Sequence, residues 1–245
     1  MKKQFFIAVA MIAMAFTTSA QNIQFHYDLG SASSNKLDSR PKVTTTVEMF
    51  KPDAWGSTFF FVDFDYAHDG VKSAYWEISR EFNIGKKGFA AHIEYDGGLN
   101  SNDQKFNTGS YNNAFLVGPA FNGHNADFST TYSIQLMYKY LQGSKYRNIH
   151  NSWQLTGIWS TTFAKGACTF SGFADLWHDN TVSGSLIFLS EPQFWVNLNA
   201  FKGVNKNFNL SLGTEVELSS NFVYGSGVAN NRFYAIPTIA AKWTF

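Results

Sequence analysis

Cysteine is almost absent from this chain of 245 residues, which contains only Cys168. A single cysteine cannot form an internal disulfide, so the sequence excludes a small secreted fold held together by disulfides. Long apolar runs are also missing after the first twenty residues, and the mean hydropathy is −0.19. Because a membrane-spanning helix needs about 20 largely apolar residues, the sequence argues against a helical membrane protein.

Neither sign of charge dominates, because 19 Lys and Arg residues stand against 18 Asp and Glu residues. Without a basic excess we expect no nucleic-acid partner. The six histidines do not have the spacing of metal ligands, and no serine lies in a nucleophile motif. We therefore predict no catalytic residue, no metal site, no cofactor and no enzymatic activity.

A hydrolase with a site at the rim of the fold remains an alternative. Acidic and histidine side chains near two predicted loops could activate water there, and they are Asp63, Asp65, His68, Asp69, His178 and Asp179. Neighbouring residues of a strand point to opposite faces, however, and His-Asp pairs in loops are usually solvated.

The first twenty residues have the pattern of a secretory signal peptide. Lys2 and Lys3 precede an apolar run over residues 5–16, and Thr18, Ser19 and Ala20 supply small residues for cleavage. We expect residues 1–20 to be removed and residues 21–245 to form one domain outside the cytoplasm.

The mature chain divides into twelve segments of the length that barrel strands have, which is about 9–11 residues. None shows the period of an amphipathic helix. Aromatic residues are abundant at 18% of the chain, as the girdles of an outer-membrane barrel require. We predict an all-β, transmembrane, antiparallel up-and-down barrel with strands at 22–29, 42–50, 56–67, 74–84, 88–96, 111–121, 128–141, 152–163, 166–177, 185–200, 206–219 and 232–245.

The last segment shows two unlike faces and ends on an aromatic residue. One face carries Phe233, Ala235, Ile239, Ala241, Trp243 and Phe245, and the other carries Arg232, Tyr234, Thr238, Lys242 and Thr244. This ending resembles the closing strand of outer-membrane barrels. The resemblance implies that outer-membrane lipid surrounds the protein and that the barrel-assembly machinery reads Phe245.

The predicted gaps between strands alternate in length, as the short periplasmic turns and longer outer loops of bacterial barrels do. Long polar gaps cover residues 30–40, 97–110, 142–151 and 220–231, whereas gaps such as 164–165 and 202–205 are short. With both termini in the periplasm, the long gaps face outward.

The polar faces of the strands are expected to line the lumen, because lipid surrounds the apolar faces. Arg80 is an exception on an apolar face, explained either by an interfacial position or by a bulge in its strand. The candidate lumen or solute-binding residues are Glu48, Phe59, Phe61, Asp63, Asp65, Glu77, Glu81, Glu94, Lys139, Asp175, Trp177, Glu191, Trp195, Glu215, Glu217, Arg232 and Lys242.

Such a lumen is polar, rich in carboxylates and partly aromatic, which suits small polar molecules with flat faces. We expect an outer-membrane channel for passive uptake of such solutes. The alternative is a closed structural or adhesion barrel, in which the same charged side chains link the wall and fill the interior.

Two family resemblances extend this prediction. Residues 47–63, VEMFKPDAWGSTFFFVD, and residues 75–84, YWEISREFNI, resemble strands of the nucleoside-specific channel-forming (Tsx-like) outer-membrane proteins. Residues 213–222, GTEVELSSNF, resemble an uncharacterised Bacteroidetes-type outer-membrane family, a domain of unknown function. The first resemblance implies a nucleoside-like solute, and both imply a barrel.

Overall fold

The chain forms an antiparallel β-barrel in the computed structural model, which describes residues 20–68, 70–102, 107–110, 113–143, 150–179, 185–223 and 233–245. Residues 1–19 of the predicted signal peptide lie outside this range. The strands are β1 (Ala20–Asp28), β2 (Val43–Asp53), β3 (Gly56–Ala67), β4 (Gly70–Ile84), β5 (Phe89–Asn102), β6 (Asn107–Ser110), β7 (Ala114–His124), β8 (Thr130–Leu141), β9 (His150–Phe163), β10 (Cys168–His178), β11 (Leu186–Ser190), β12 (Gln193–Asn197), β13 (Leu210–Ser220) and β14 (Phe233–Thr244).

Neighbouring strands pair around the whole circle, and β1 pairs with β14 to close it. β11 and β12 are two halves of one barrel strand, since both lie between β10 and β13. β6 only extends the hairpin at the end of β5. The predicted closed barrel of twelve strands is therefore confirmed.

Apolar side chains cover the outside of the barrel. Phe25, Tyr27, Val117 and Ile134 are exposed there, whereas their strand neighbours Gln24 and His26 point inward and are buried. This exterior is suited to hydrocarbon rather than water, because paired strands satisfy their backbone groups within the sheet. The barrel is thus a transmembrane one.

Two rows of outward aromatic side chains mark the two edges of this apolar belt. At the end where β1 begins and β14 ends, hereafter the terminal end, the ring centroids of Phe89 and Phe121 are 5.2 Å apart. At the opposite end, hereafter the far end, those of Tyr95 and Phe115 are also 5.2 Å apart. Phe89 and Tyr95, the β5 members of the two rows, are six positions apart, which corresponds to about 20 Å along the strand. Rows at this spacing have the position of interfacial girdles.

Short helices interrupt the connections. They are the α-helix α1 (Gly30–Ser33) and 3-10 turns at Asn35–Leu37, Ala164–Gly166 and Leu198–Ala200. No helix in the described ranges has the length and apolarity needed to span a membrane.

Several predicted boundaries are wrong. The segment predicted as one strand over 185–200 breaks at Glu191 and Pro192, where proline lacks the N–H that a ladder needs. The predicted loop over 97–110 is largely the paired hairpin of β5 and β6. The predicted short turn at 202–205 belongs to a connection over 198–209, because β12 ends early in a 3-10 turn.

Arg80 lies on the outer face near the terminal end. Its guanidinium donates to Asp53 in the β2–β3 turn, at 2.6 Å (Nη1–Oδ2) and 2.9 Å (Nη2–Oδ1). The register of β3 against β4 shifts at Asp65 and Tyr66, not beside Arg80, so a bulge does not explain its position. Hydrogen bonds from Arg80 and from the Trp55 N–H lower the pKa of Asp53 to about 2.

Candidate functional site: the inner wall of the barrel

The inner wall carries the side chains that the sequence selected as solute contacts. Gln24 illustrates the register, because it is 1% exposed and pairs with Thr46 on one side and Lys242 on the other. The same alternation puts these candidates on the inner face: Glu48, Phe59, Phe61, Asp63, Asp65, Glu77, Glu81, Glu94, Lys139, Asp175, Trp177, Trp195, Glu215, Glu217 and Lys242. Glu191 lies in the break between β11 and β12 and interacts with inner carboxylates, first with Glu215. Arg232 lies outside the described residues. The role of these residues as solute contacts stays a prediction.

Among the ionisable residues of the inner wall, His26, Asp28, Tyr75, His92 and Asp96 are absent from that set. Their strands alternate in the same way, so the period of two could have selected them as well.

Carboxylates outnumber cationic side chains on this wall. Those of Glu48, Asp63 and Asp65 accept hydrogen bonds from neutral amide or hydroxyl groups rather than from cations. Glu191 has its strongest charge interactions with other carboxylates, first with Glu215. Among the described residues, Lys139 and Lys242 are the strand lysines of this wall, and a loop adds Arg40. The described part of the lumen wall is therefore richer in acidic than in basic side chains.

An aromatic strip runs across β3 and β4 beside these carboxylates, and consists of Phe59, Phe61 and Tyr75. The ring centroids of Phe59 and Phe61 are 6.1 Å apart, and those of Phe61 and Tyr75 are 6.0 Å apart. Phe61 has Glu48 and Glu77 as its register partners on either side. All three rings are only partly buried, so the strip combines ring surface with hydrogen-bond acceptors.

Trp195 is an inner aromatic of a different kind, because it is 0% exposed. The Lys242 ammonium lies 4.2 Å from its ring centroid, and the His26 ring meets it edge-on at 6.1 Å. Its indole N–H donates to Gln193 Oε1 at 3.0 Å. Gly213 provides the space for this ring, since a Cβ there would lie 2.7 Å from Trp195 Cε3. A solute could reach Trp195 only after Lys242 moved.

Trp177 has a similar cover. The Lys139 ammonium lies 5.0 Å from its ring centroid, and the ring packs with Ile187 and Leu189. Lys139 also donates to Gln154 Oε1 at 2.6 Å and lies 3.6 Å from Asp96 Oδ2. Both inner tryptophans are thus covered by a lysine.

A carboxylate cluster, consisting of Glu77, Glu94 and Asp96, lies on the inner faces of β4 and β5. One oxygen from each residue lies within 4.8 Å of the other two. Tyr75 donates to Glu77 at 2.8 Å, and His92 Nε2 lies 3.1 Å from Glu94 Oε2. The histidine spacing predicts no metal site, but the oxygen atoms of this cluster could hold a hard cation. The sequence could have indicated this cluster, because His92, Glu94 and Asp96 alternate along one strand and so share one face.

The loop between β1 and β2, residues 29–42, folds back over the far end of the lumen and is called the mouth loop. Leu37 is 0% exposed and packs with Val223, Tyr234 and Ile236. Arg40 links the loop to strands β1 and β13. Its Nε donates to Asp28 Oδ2 at 3.0 Å, and its Nη2 donates to Glu217 Oε2 at 2.8 Å.

The guanidinium of Arg40 stays charged in this position. Burial alone would lower its pKa, but the charge of Glu217 and the hydrogen bond to Asp28 outweigh burial and raise that pKa. The mouth loop is therefore held to the wall by a charged group as well as by an apolar one.

The residues of the alternative rim hydrolase have other contacts. His178 Nδ1 lies 3.2 Å from His150 Nε2, and the two rings stack. Asp63 and Asp65 accept hydrogen bonds from Thr46 and Thr44. Asp69 lies outside the described residues, so the predicted His68–Asp69 pair lies partly outside them.

A family model described as a domain of unknown function (DUF5020) matches residues 20–245. The chain belongs to this family. The search of curated protein sequences found no match to the chain. DUF5020 membership agrees with the resemblance to an uncharacterised barrel family, whereas the resemblance to nucleoside channels stays a prediction.

Solved porin structures have a similar fold. The NanC porin has 10% sequence identity to the chain, with a TM-score of 0.58, and the match covers 92% of this chain and 100% of NanC. The KdgM porin has 11% identity and a TM-score of 0.48 over 92% of this chain and 99% of KdgM. An identity of 10% relates the DUF5020 chain to the NanC porin by fold alone.

Proposed function

We propose that this protein is an outer-membrane channel for the passive uptake of small polar solutes. The observation that carries the proposal is the inner wall, where ionisable and amide side chains follow one another around a closed transmembrane barrel. The outward apolar belt with its two aromatic rows supports a location in the outer membrane, where barrels of this kind are found.

The charge of the wall favours neutral and cationic solutes over anions. Glu48, Asp63 and Asp65 have neutral hydrogen-bond partners, so their negative charge is available to a passing solute. An anionic solute would meet repulsion in a region of reduced dielectric constant, where charges are weakly screened.

Nucleosides fit the aromatic strip. A base can stack on Phe59, Phe61 or Tyr75, and ribose hydroxyls can donate to Glu48 or Glu77 beside them. This combination of ring surface and acceptors supports the nucleoside-like solute that the sequence resemblance implies.

A closed structural or adhesion barrel is the second candidate. Leu37 and Trp195 favour it, because both are 0% exposed and both lie inside the barrel outline. In that case the inner charges would serve only to bind the wall and the mouth loop together.

Planar bilayer recording on the refolded protein tests both candidates. A channel gives unitary current steps that added nucleosides reduce, whereas a closed barrel gives none. Phe61→Ala should weaken the nucleoside block while current steps persist. Phe115→Ala, which removes an outward ring, should leave the block unchanged and serves as the matched control.

Absence of current steps from protein with a folded gel mobility would refute the channel. Current steps with no nucleoside block, or an equal loss of block in both variants, would refute the nucleoside assignment alone.

A further inference from the structure

The carboxylate cluster of Glu77, Glu94 and Asp96 contains more acidic groups than it has cationic neighbours. Lys139 is the cation beside Asp96, at 3.6 Å. His92 reaches Glu94, but it is shared with Glu81, whose Oε1 lies 3.3 Å from His92 Nδ1. Tyr75 supplies Glu77 with a neutral donor.

Two acidic side chains of the lumen each have a buried oxygen atom without a hydrogen-bond donor. Asp96 Oδ1 and Asp175 Oδ1 are both buried and accept no hydrogen bond from any described residue. The Asp96 side chain is only 6% exposed, and Asp96 is itself one of the three cluster residues. A buried carboxylate oxygen without a partner carries the full cost of its lost hydration.

Carboxylates cannot donate hydrogen bonds to one another when ionised, so facing carboxylates need a proton or a cation between them. The cluster offers oxygen atoms only, and hard divalent cations prefer such ligands. Ca²⁺ binds oxygen at about 2.3–2.6 Å, so one ion can contact oxygens that lie up to about 5 Å apart. The cluster spacing of 4.8 Å or less is within that reach.

We propose that Glu77, Glu94 and Asp96 form a Ca²⁺-binding site inside the barrel. Lys139 competes with the ion, because its ammonium occupies the Asp96 side of the cluster. The site does not depend on the proposed channel function, since a cation can bind whether or not solutes pass.

Terbium luminescence on the refolded protein in detergent tests the site. Tb³⁺ substitutes for Ca²⁺, and Tyr75 is close enough to the cluster to sensitise its emission. We expect saturable emission that Ca²⁺ displaces. Glu77→Gln and Asp96→Asn should each weaken Tb³⁺ binding by about tenfold or more, because each removes a direct ligand.

Two further variants separate a site from a generally acidic lumen. Asp65→Asn removes an inner carboxylate that hydroxyl groups already satisfy, and it should change Tb³⁺ affinity less than about twofold. Lys139→Met removes the competing ammonium and should strengthen binding by about threefold or more. A gain of affinity cannot result from misfolding.

Non-saturable emission from the wild type would overturn the proposal, as would equal weakening by Glu77→Gln and Asp65→Asn. Weaker binding in Lys139→Met would also overturn it. If the ligand variants fail to refold, the wild type still decides, because Ca²⁺ must raise its unfolding temperature and EDTA must reverse the rise. No such shift would refute the site.

Discussion

Arg40→Gln is expected to release the mouth loop from the wall of the barrel. The substitution removes one charge and two hydrogen bonds, to Asp28 at 3.0 Å and to Glu217 at 2.8 Å. It also leaves these two carboxylates, which are both largely buried, without their cation. The loop keeps the packing of Leu37 and the bond from the Gly30 N–H to Asp28.

The size of the effect follows from the burial of the pair. Hydrogen bonds to charged groups contribute about 1.5–3 kcal/mol each, and exposed ion pairs contribute less than about 1 kcal/mol. The Arg40 side chain is 29% exposed, so we expect a loss of about 2 kcal/mol for the docked loop. This corresponds to about a 30-fold rise in the ratio of released to docked loop.

Trypsin cleavage after Lys36 measures that ratio, because the bond precedes the buried Leu37 and is cut only when the loop leaves the wall. The cleavage rate should rise by about 30-fold in Arg40→Gln, provided that release and docking are faster than cleavage. In bilayers, the same variant should increase the unitary conductance or the fraction of time open.

Arg80→Gln is the matched control. Arg80 also pairs with a carboxylate at two atoms, but on the outer face at the terminal end. It should change neither cleavage after Lys36 nor conductance. Unchanged cleavage in Arg40→Gln, or equal changes in the two variants, would show that the ion pairs do not hold the loop.

Three other substitutions or conditions test separate parts of the structure. Lys242→Met should increase the preference of the channel for cations in reversal-potential measurements, because it removes an inner positive charge. It should also raise the quenching of Trp195 fluorescence by acrylamide, because it uncovers the ring. An unchanged cation preference would contradict the proposed effect of the inner charges on selectivity. The Asp53–Arg80 pair should stabilise the barrel above about pH 4, the ordinary range of an aspartate pKa, and lose this effect as the pH falls through the folded pKa of about 2. The difference in unfolding temperature between wild type and Arg80→Gln should therefore shrink only below pH 4, and a constant difference down to pH 2 would refute the assignment. Gly213→Ala should destabilise the barrel by about 1–3 kcal/mol or prevent folding, because its Cβ would meet backbone and the Trp195 ring; denaturant unfolding in detergent measures this, and wild-type stability would refute it.

Most of the fold could be predicted from the sequence because a barrel strand has a local signature. Alternation along β1, β5 and β13 assigns each side chain to lipid or lumen without knowledge of its neighbours. The faces of Glu48, Asp63, Glu94 and Glu215 follow from that parity alone.

The features that could not be predicted depend on contacts between distant residues. Arg40 bonds to Glu217 across 177 positions of the chain, so no local pattern indicates that its loop folds inward. The burial of Trp195 has the same cause, since Lys242 reaches it from another strand. Local alternation predicts that a ring points into the lumen, but not whether another side chain covers it.

The distribution of the inner lysines narrows the region where solutes can be recognised. Lys139 lies over the ring of Trp177, and Lys242 lies over the ring of Trp195. On the wall from β8 to β14, a solute therefore meets the lysine ammonium groups rather than the tryptophan rings beneath them. The aromatic strip of Phe59, Phe61 and Tyr75 has no comparable lysine contact among the described residues. Strands β2 to β4 therefore combine accessible ring surface with carboxylates whose hydrogen-bond partners are neutral groups. Solute selectivity should accordingly respond to Phe61 and its neighbours, whereas the tryptophans act mainly through the lysines that they hold in place.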